Sequence, residues 1–455
     1  MTAMRRFLTV CILGWMTQTS LALGPHELLV LANRNSTNSM AIARDYATRR
    51  QVPEVNIVAL DLPATLELEI SPETFTEKIW TPAQAAVRER GLDDHILAWA
   101  YSVDIPLRIR KDPPVSIQGL TFLRNQFPGR DAVAKGLYAS PLFAGPETAR
   151  IAGFPAQSLD IPRAWFGKNM PIPSMMLGYI GPNGNTRDEV LACLQRGRQA
   201  DGTRPAGTVY FVTNTDVRSR CREWEFAPAV QELRAQGVTA VLTNALPESA
   251  PDILGAMLGA SVVVMSSTRT FRPGAMAEHL TSFGAVFDPS DQTKITEWIR
   301  AGASASAGTV TEPYAYWNKF THARFYVHWA AGCTTLESFY QALRCPLQIL
   351  LLGDPLTSPW APASTLRLRG LETETLQEAV TVEAAVEARQ GETFQRFLFL
   401  LDGKTLQPLG KTPTVRLDPA GLKPGPHTLR AVAYAVGSVR AQIFTEKTFE
   451  VKGSL

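Results

Sequence analysis

The chain has 455 residues, 45% of them hydrophobic, which is enough for a real core and more than one domain. Its 45 Lys and Arg face 42 Asp and Glu, a near-neutral balance that gives no electrostatic footprint for nucleic acid or for an anionic membrane. Beyond the N-terminus no run reaches the roughly 18 apolar residues of a spanning helix, so no transmembrane anchor is expected in the mature chain.

The N-terminus reads as a secretory signal. Arg5 and Arg6 precede a mainly apolar run over 7–16, about the length of a signal core and short of the ~20 residues that cross a bilayer. Ser20 and Ala22 supply small residues for cleavage after Ala22, whereas a cut after Gly24 would leave Pro25 just beyond it. The signal is therefore 1–22, and the mature chain is expected to be exported, periplasmic or extracellular. Cys11 does not read as a lipid-attachment site, because Val10 stands where a small residue belongs. Cys193, Cys221, Cys333 and Cys345 remain after cleavage. An oxidising compartment favours pairing, with Cys333 and Cys345 flanking one predicted helix; four buried thiols are the alternative. Their spacing fits no metal site, and no cofactor is expected.

From residue 27 the chain alternates short β-rich runs with helical patterns, the mark of a mainly parallel sheet covered by helices. Strand 27–32 runs into a polar turn over 33–39 that ends in good helix-capping residues. A helix over 40–50 follows, then a strand over 56–60, a helix over 84–90 and a strand over 95–103. Residues 111–177 break the rhythm with nine prolines and read as an insertion or lid of loops and short helices. The rhythm returns with a helix over 187–198, a strand over 207–213, a helix over 227–236 and a strand over 238–243. Next come a helix over 251–258, a strand over 261–266, helices over 275–283 and 293–301, and strands over 303–310 and 347–352. The expected architecture is α/β, a three-layer mainly parallel sheet over 23–361 with its ligand site at the carboxyl ends of the strands. Residues 355–362 read as a linker. From 362 to 455 short alternating strands, with Asp402-Gly403 as a hairpin turn, predict an immunoglobulin-like β-sandwich without the Cys–Trp–Cys core.

Several catalytic signatures are absent: no Gly-x-Ser-x-Gly, no His-Glu-x-x-His, no phosphate loop and no dinucleotide fingerprint. Among six histidines, His279 lies near a predicted strand edge with Thr281 and Ser282 beside it, and is the candidate general base. The alternative is a helix histidine satisfied by a neighbouring carbonyl. Glu312 and Lys319 follow the strand over 303–310, suited to proton transfer or binding, or to an ion pair that fixes the loop. Asp354 ends the last strand of the sheet and is expected to cap its turn. Asn33, Arg34, Asn35 and Asn38 form a polar rim after the first strand, which reads either as a ligand contact or as a solvated turn.

A resemblance adds to this reading. Ala41-Ile-Ala-Arg-Asp-Tyr46, Val103-Asp-Ile-Pro-Leu-Arg-Ile109, residues 273–284, Gly308 to Pro313 with Lys319-Phe320, and Gly353-Asp-Pro-Leu356 carry it. Over 27–360 the chain resembles a bacterial family, without an established activity, found in genomes that carry the exosortase protein-sorting system. The layout is also similar to gingipain-like and caspase-like cysteine peptidases, whose His and Cys stand on neighbouring strand ends. Tyr314 occupies the place where relatives carry Cys, and Thr321 the place where Pro is usual. A tyrosine cannot replace a thiolate nucleophile at neutral pH. The resemblance implies an exported cell-envelope protein with a peptidase-like domain whose nucleophile is missing. The alternative is a non-catalytic binding or assembly protein linked to exosortase-dependent surface material, with a cell-envelope protein or polysaccharide as partner. A cleft joining His279, Glu312 and Lys319 would favour an enzyme; their dispersal beside exposed aromatics would favour binding.

Overall fold

The computed structural model describes residues 21–65, 67–288 and 291–452. The expected signal lies outside these residues except for Leu21 and Ala22, which are buried; Leu21 exchanges backbone hydrogen bonds of 2.8 and 2.7 Å with Gln442.

Ten strands form one sheet: β1 (Leu28–Asn33), β2 (Ile57–Leu60), β3 (Ala98–Tyr101), β4 (Ser174–Met176), β5 (Thr208–Val212), β6 (Thr239–Thr243), β7 (Ala250–Gly259), β8 (Arg269–Leu280), β9 (Ala305–Thr309) and β10 (Ile349–Gly353). Their spatial order is β2-β1-β3-β4-β10-β9-β8-β7-β5-β6. Every neighbouring pair is parallel except β9 and β10. The sheet is thus two parallel halves running in opposite directions. Their carboxyl ends lie at opposite edges, which corrects the expectation of one common edge. His279 and the loop after β9 share one edge, while Asn33 and Asp354 stand at the other.

The principal helices are α1 (Thr37–Arg50), α2 (Thr81–Glu89), α3 (Ile117–Phe122), α4 (Asp160–Phe166), α5 (Arg187–Ala200), α6 (Phe226–Ala235), α7 (Ile295–Ala301), α8 (Phe325–Ala330) and α9 (Thr335–Ala342). They cover both faces of the sheet. Leu28, Val30 and Ala32 of β1 pack with Ile42 of α1, Val190 of α5 and Leu336 of α9, whereas Leu29 and Leu31 pack with Ala83 of α2, Leu120 of α3 and Ile295 of α7. All six residues of β1 are buried, as a strand covered on both faces requires.

Residues 251–258 and 275–280, within the stretches expected as helices, belong instead to β7 and β8. Residues 281–283 lie in the turn that follows, and the strand expected over 261–266 is a loop. These stretches are rich in Ala, Met and Leu, which favour helix. Here small size decides, because neighbours press on the strands from both sides. Ala256 and Ala277 are fully buried, and a Cβ on Gly255 would collide with the Tyr326 ring. The 111–177 insertion is also more than loops, since it supplies β4, a strand of the main sheet between β3 and β10.

The C-terminal domain has two sheets. Thr365–Arg369, Val380–Glu387 and Thr414–Leu417 form one; Phe394–Leu401, Lys404–Gly410, Gly425–Ala435 and Gln442–Val451 form the other, with Thr375–Leu376 at its edge. Leu366, Val382 and Val415 of the first share a core with Phe399, Leu429 and Ile443 of the second. Asp402 and Gly403 turn the hairpin with φ of 51° and 79°, the left-handed pair such a two-residue turn needs.

The segment 355–362 is not an open linker. Leu356 and Ser358 are fully buried, and Trp360 packs on Trp329 with ring centroids 4.7 Å apart. The two domains are also bonded directly. Arg440 donates to the Asp160 carboxylate (2.7 Å), Gln442 Nε2 to Glu27 Oε2 (2.8 Å) and the Tyr434 hydroxyl to Glu27 Oε1 (3.3 Å).

Candidate functional site

Side chains alternate along β8, so Glu278 and His279 point to opposite faces. His279 is 1% exposed. Its Nδ1 accepts from the Trp298 indole (2.8 Å) and its Nε2 meets the Thr293 carbonyl (3.1 Å). The indole can only donate and the carbonyl can only accept, which fixes the neutral Nε2–H tautomer. Burial pushes the imidazole pKa down to about 4. A general base needs a lone pair facing its substrate, and here both nitrogens are bonded inside the protein. Thr281 donates to Gln292 Oε1 (2.6 Å), while the Thr281 and Ser282 carbonyls accept from the Thr309 hydroxyl (3.2 and 3.0 Å). These groups fasten the loop after β8 to β9.

Lys319 is also buried, 1% exposed. Its ammonium donates to the Ala134 and Pro313 carbonyls (2.6 and 3.0 Å) and to Gln348 Oε1 (3.0 Å). All three acceptors are neutral, and burial pushes its pKa down to about 8. Glu312 is exposed and accepts from the Tyr314 backbone N–H (2.8 Å). No salt bridge joins Glu312 to Lys319, so the ion pair that the sequence offers as one of two alternatives does not form. The insertion grips this loop through Ala134 and through Gly136, whose carbonyl accepts from Asn318 (2.7 Å). Tyr314 stands on top, 63% exposed with φ of 58°, and meets the half-open Tyr316 edge to face at 6.2 Å.

At the opposite edge, the buried Asn33 side chain donates to the Pro63 and Asp104 carbonyls (2.9 and 3.2 Å) and accepts from Asn35 N–H (3.0 Å). Asn35 donates to the Leu62 carbonyl (2.8 Å) and to Asp61 (3.0 Å). Ser36 caps α1 and donates to the Asp104 carboxylate. Asn38 lies half-exposed in the first turn of α1. The rim is therefore largely a tie between loops.

Asp354 accepts from the Leu356 N–H (3.0 Å), capping its turn as expected. It also accepts from the Tyr46 hydroxyl (3.0 Å) and Arg50 Nε (2.8 Å), and Arg50 in turn pairs with Asp201. Tyr46 and Arg50 are one turn apart on α1, so two of the resembling motifs meet at a single buried carboxylate. Gly353 is required here: at φ of 127° a Cβ would collide with the Ser304 carbonyl. The i,i+4 spacing of Tyr46 and Arg50 was the available signal for this network.

A second cluster escaped sequence reading altogether. Arg222 donates to Glu278 Oε2 (2.8 Å) and to the Thr321 carbonyl (3.2 Å), and Glu225 accepts from Ala323 N–H (3.0 Å) at 3.8 Å from His322 Nδ1. Arg222 Nε, Glu225 Oε1, Glu278 Oε1, Thr321 Oγ1 and His322 Nε2 have no partner within the protein. Burial pushes both carboxyls up and the His322 imidazole down. These groups could pass a proton, but all five side chains are at most 2% exposed, so no substrate reaches them. Reading residues 275–283 as a strand would have pointed Glu278 to this face.

The four cysteines are free; Cys193, Cys333 and Cys345 are buried and Cys221 is half-buried. Cys333 accepts from Gln341 Nε2 (3.4 Å) rather than pairing with Cys345. Burial pushes Cys193 up to about 12 and Cys221 and Cys345 to about 11, so none of these is a thiolate at neutral pH. Among the described residues, no group of three or more His, Cys, Asp or Glu side chains is placed to hold a metal ion.

Comparison with protein-family models finds no match. Comparison with curated proteins finds none either. Three solved structures are similar to parts of the chain. A structure of Clostridium thermocellum CbhA fibronectin(III)-like modules shares 17% identity over 20% of this chain and 96% of that one, with a TM-score of 0.16. The Clostridium perfringens spore cortex lytic enzyme SleM shares 8% over 79% and 92%, at 0.19. The Thermotoga petrophila endo-beta-1,4-mannanase shares 9% over 94% and 79%, at 0.16. At these scores none carries an argument about this chain. What the fold and site define is a ten-stranded mixed, mostly parallel α/β sheet joined to a two-sheet β domain, with its candidate catalytic groups bonded internally.

Proposed function

We propose that this chain is an exported, non-catalytic binding protein of the cell envelope. Its contact surface is the Glu312–Lys319 loop, its partner a surface polysaccharide, and the process it serves the assembly of exosortase-linked surface material. On this reading the α/β domain keeps a caspase- or gingipain-like layout without a nucleophile, and the C-terminal domain is immunoglobulin-like. In support, His279 stands at the end of β8 and Tyr314 in the loop after the neighbouring β9, where those peptidases place His and Cys.

The conformation of Tyr314 carries the binding assignment. A left-handed backbone costs a residue with a Cβ about 1–2 kcal/mol, and a side chain 63% exposed recovers little of that by packing. Strain held at an exposed aromatic fits a contact role, and Tyr314 with Tyr316 offers rings on which sugar faces can lie. Co-sedimentation of the mature chain with purified envelope polysaccharide tests this. Tyr314→Gly should bind at least about tenfold more weakly while unfolding at the same or a higher denaturant concentration. Equal binding by wild type and variant would refute the assignment.

A further inference from the structure

A cleft beside the amino end of β3 gathers four cations, none of them held in a salt bridge. It is lined by Arg88 on α2, Arg124 just after α3, Arg163 on α4 and Lys168 just after it, over an apolar floor that includes Trp99 and Met170. Its volume is about 210 Å³, room for a group the size of a monosaccharide.

None of these four cations forms a salt bridge. Arg124 donates to the Met170 carbonyl (3.3 Å) and stands 5.8 Å from the Trp80 ring centroid, and Arg163 donates to the Asp93 backbone carbonyl (2.9 Å). Elsewhere Arg108 is matched by Glu69, Arg324 by Glu232 and Arg344 by Glu147, while Arg90, Arg196 and Arg269 donate to backbone carbonyls; the cleft differs in gathering four cations around one cavity. The carboxylate of Asp93, which is exposed, is the acid at the cleft wall. Burial pushes the Arg163 pKa down, against Asp93 and Asp94, which favour its charged form through space. Burial and the charge of Arg163 both push the Arg124 pKa down. Like charges gathered on a concave, partly dry surface repel one another, and an anion seated between them relieves that repulsion.

We propose that this cleft binds a small ligand carrying a phosphate or carboxylate group on a sugar-sized body. The guanidiniums of Arg124 and Arg163 grip the oxyanion, Lys168 and Arg88 close over it from the rim, and the apolar floor receives the body. This site is separate from the Tyr314 loop and does not depend on the role assigned to that loop.

Calorimetric titration of the full mature chain with glucose 6-phosphate, glucuronate and glucose is the test. Saturable binding of either anionic sugar, with none of glucose, bears the proposal out, and the sugar that binds names the oxyanion. The double variant R124Q/R163Q should bind at least about tenfold more weakly. Lys168→Gln, an exposed substitution that leaves folding alone, should bind severalfold more weakly. Absence of binding by both anionic sugars overturns the proposal, as does unchanged affinity in Lys168→Gln together with the double variant. Tyr314→Gly should keep the wild-type affinity, which separates failure here from failure of the loop assignment.

Discussion

His279 at the end of β8 and Arg124 at the wall of the α2–α4 cleft are both residue types that ligands recruit, yet their surroundings treat them oppositely. The imidazole has an indole donor on one nitrogen and a carbonyl on the other. The guanidinium has one carbonyl and no carboxylate, next to further cations. A buried group whose hydrogen-bonding capacity is filled from within holds the fold; a charged group left unmatched in a cleft is available to something else. By that criterion His279, Lys319 and Asp354 are structural, and the open chemistry of the molecule lies in the cleft and on the Tyr314 loop.

The structural side of the comparison should give the largest effect. Arg50→Ala leaves Asp354 buried without its cation and Asp201 with only the half-exposed Arg198 at 3.5 Å, which should cost about 3–5 kcal/mol in urea unfolding. A loss below about 1 kcal/mol would mean the network is not buried as described. His279→Ala strands the Trp298 N–H and the Thr293 carbonyl, and about 1–3 kcal/mol should follow. A variant as stable as wild type would return His279 to the list of functional candidates.

The pH dependence sharpens the same contrast. His279 and His328 titrate at about 4 and about 3 in the folded chain, below the 6.5 of free imidazole, because both are buried. Between those values the unfolded chain binds more protons, so their contribution is lost as pH falls from 6.5 toward 4, at up to about 1.4 kcal/mol per unit each. Burial raises Glu27 to about 8 and Glu337 to about 7 from 4.5. The folded chain then binds more protons, so stability falls as pH rises from 4.5 through 7 to 8. The opposing slopes should leave a plateau between about pH 4.5 and 6.5 with a decline on either side. Glu27→Gln should shallow the alkaline decline, and an unchanged slope would show that Glu27 ionises normally.

The smallest effect belongs to the exposed side. Tyr314→Gly relieves a left-handed backbone and should raise stability by up to about 1 kcal/mol. A comparable loss would show that Tyr314 packs and is not held open.

How much of this was readable from the chain depends on how local its causes are. β1, α1 and the C-terminal strands follow from apolar runs, capping residues and alternation within a few positions, and Asp402-Gly403 announced its turn. β7 and β8 did not, because their Ala, Met and Leu content favours helix and only neighbours on both faces make small residues right for a strand. β4 is three residues long among prolines. The antiparallel β9–β10 pair, which splits the carboxyl ends between two edges, joins segments separated by three 3-10 or α-helical elements and carries no local mark. The Asp354 cap lies within two residues of its partner and was legible. The fate of His279 depends on Trp298, nineteen positions away, and that of Lys319 on Ala134, 185 positions away, so residue type alone made both look catalytic.

The claim on which the rest depends is that His279 is bonded internally and holds no proton for chemistry. Histidine-labelled NMR of the mature chain from pH 8 to 5 measures this directly. The account predicts a neutral imidazole with its proton on Nε2, unchanged across the range because its pKa lies at about 4. A His279 resonance titrating near 6.5 would place the ring in contact with solvent and contradict it.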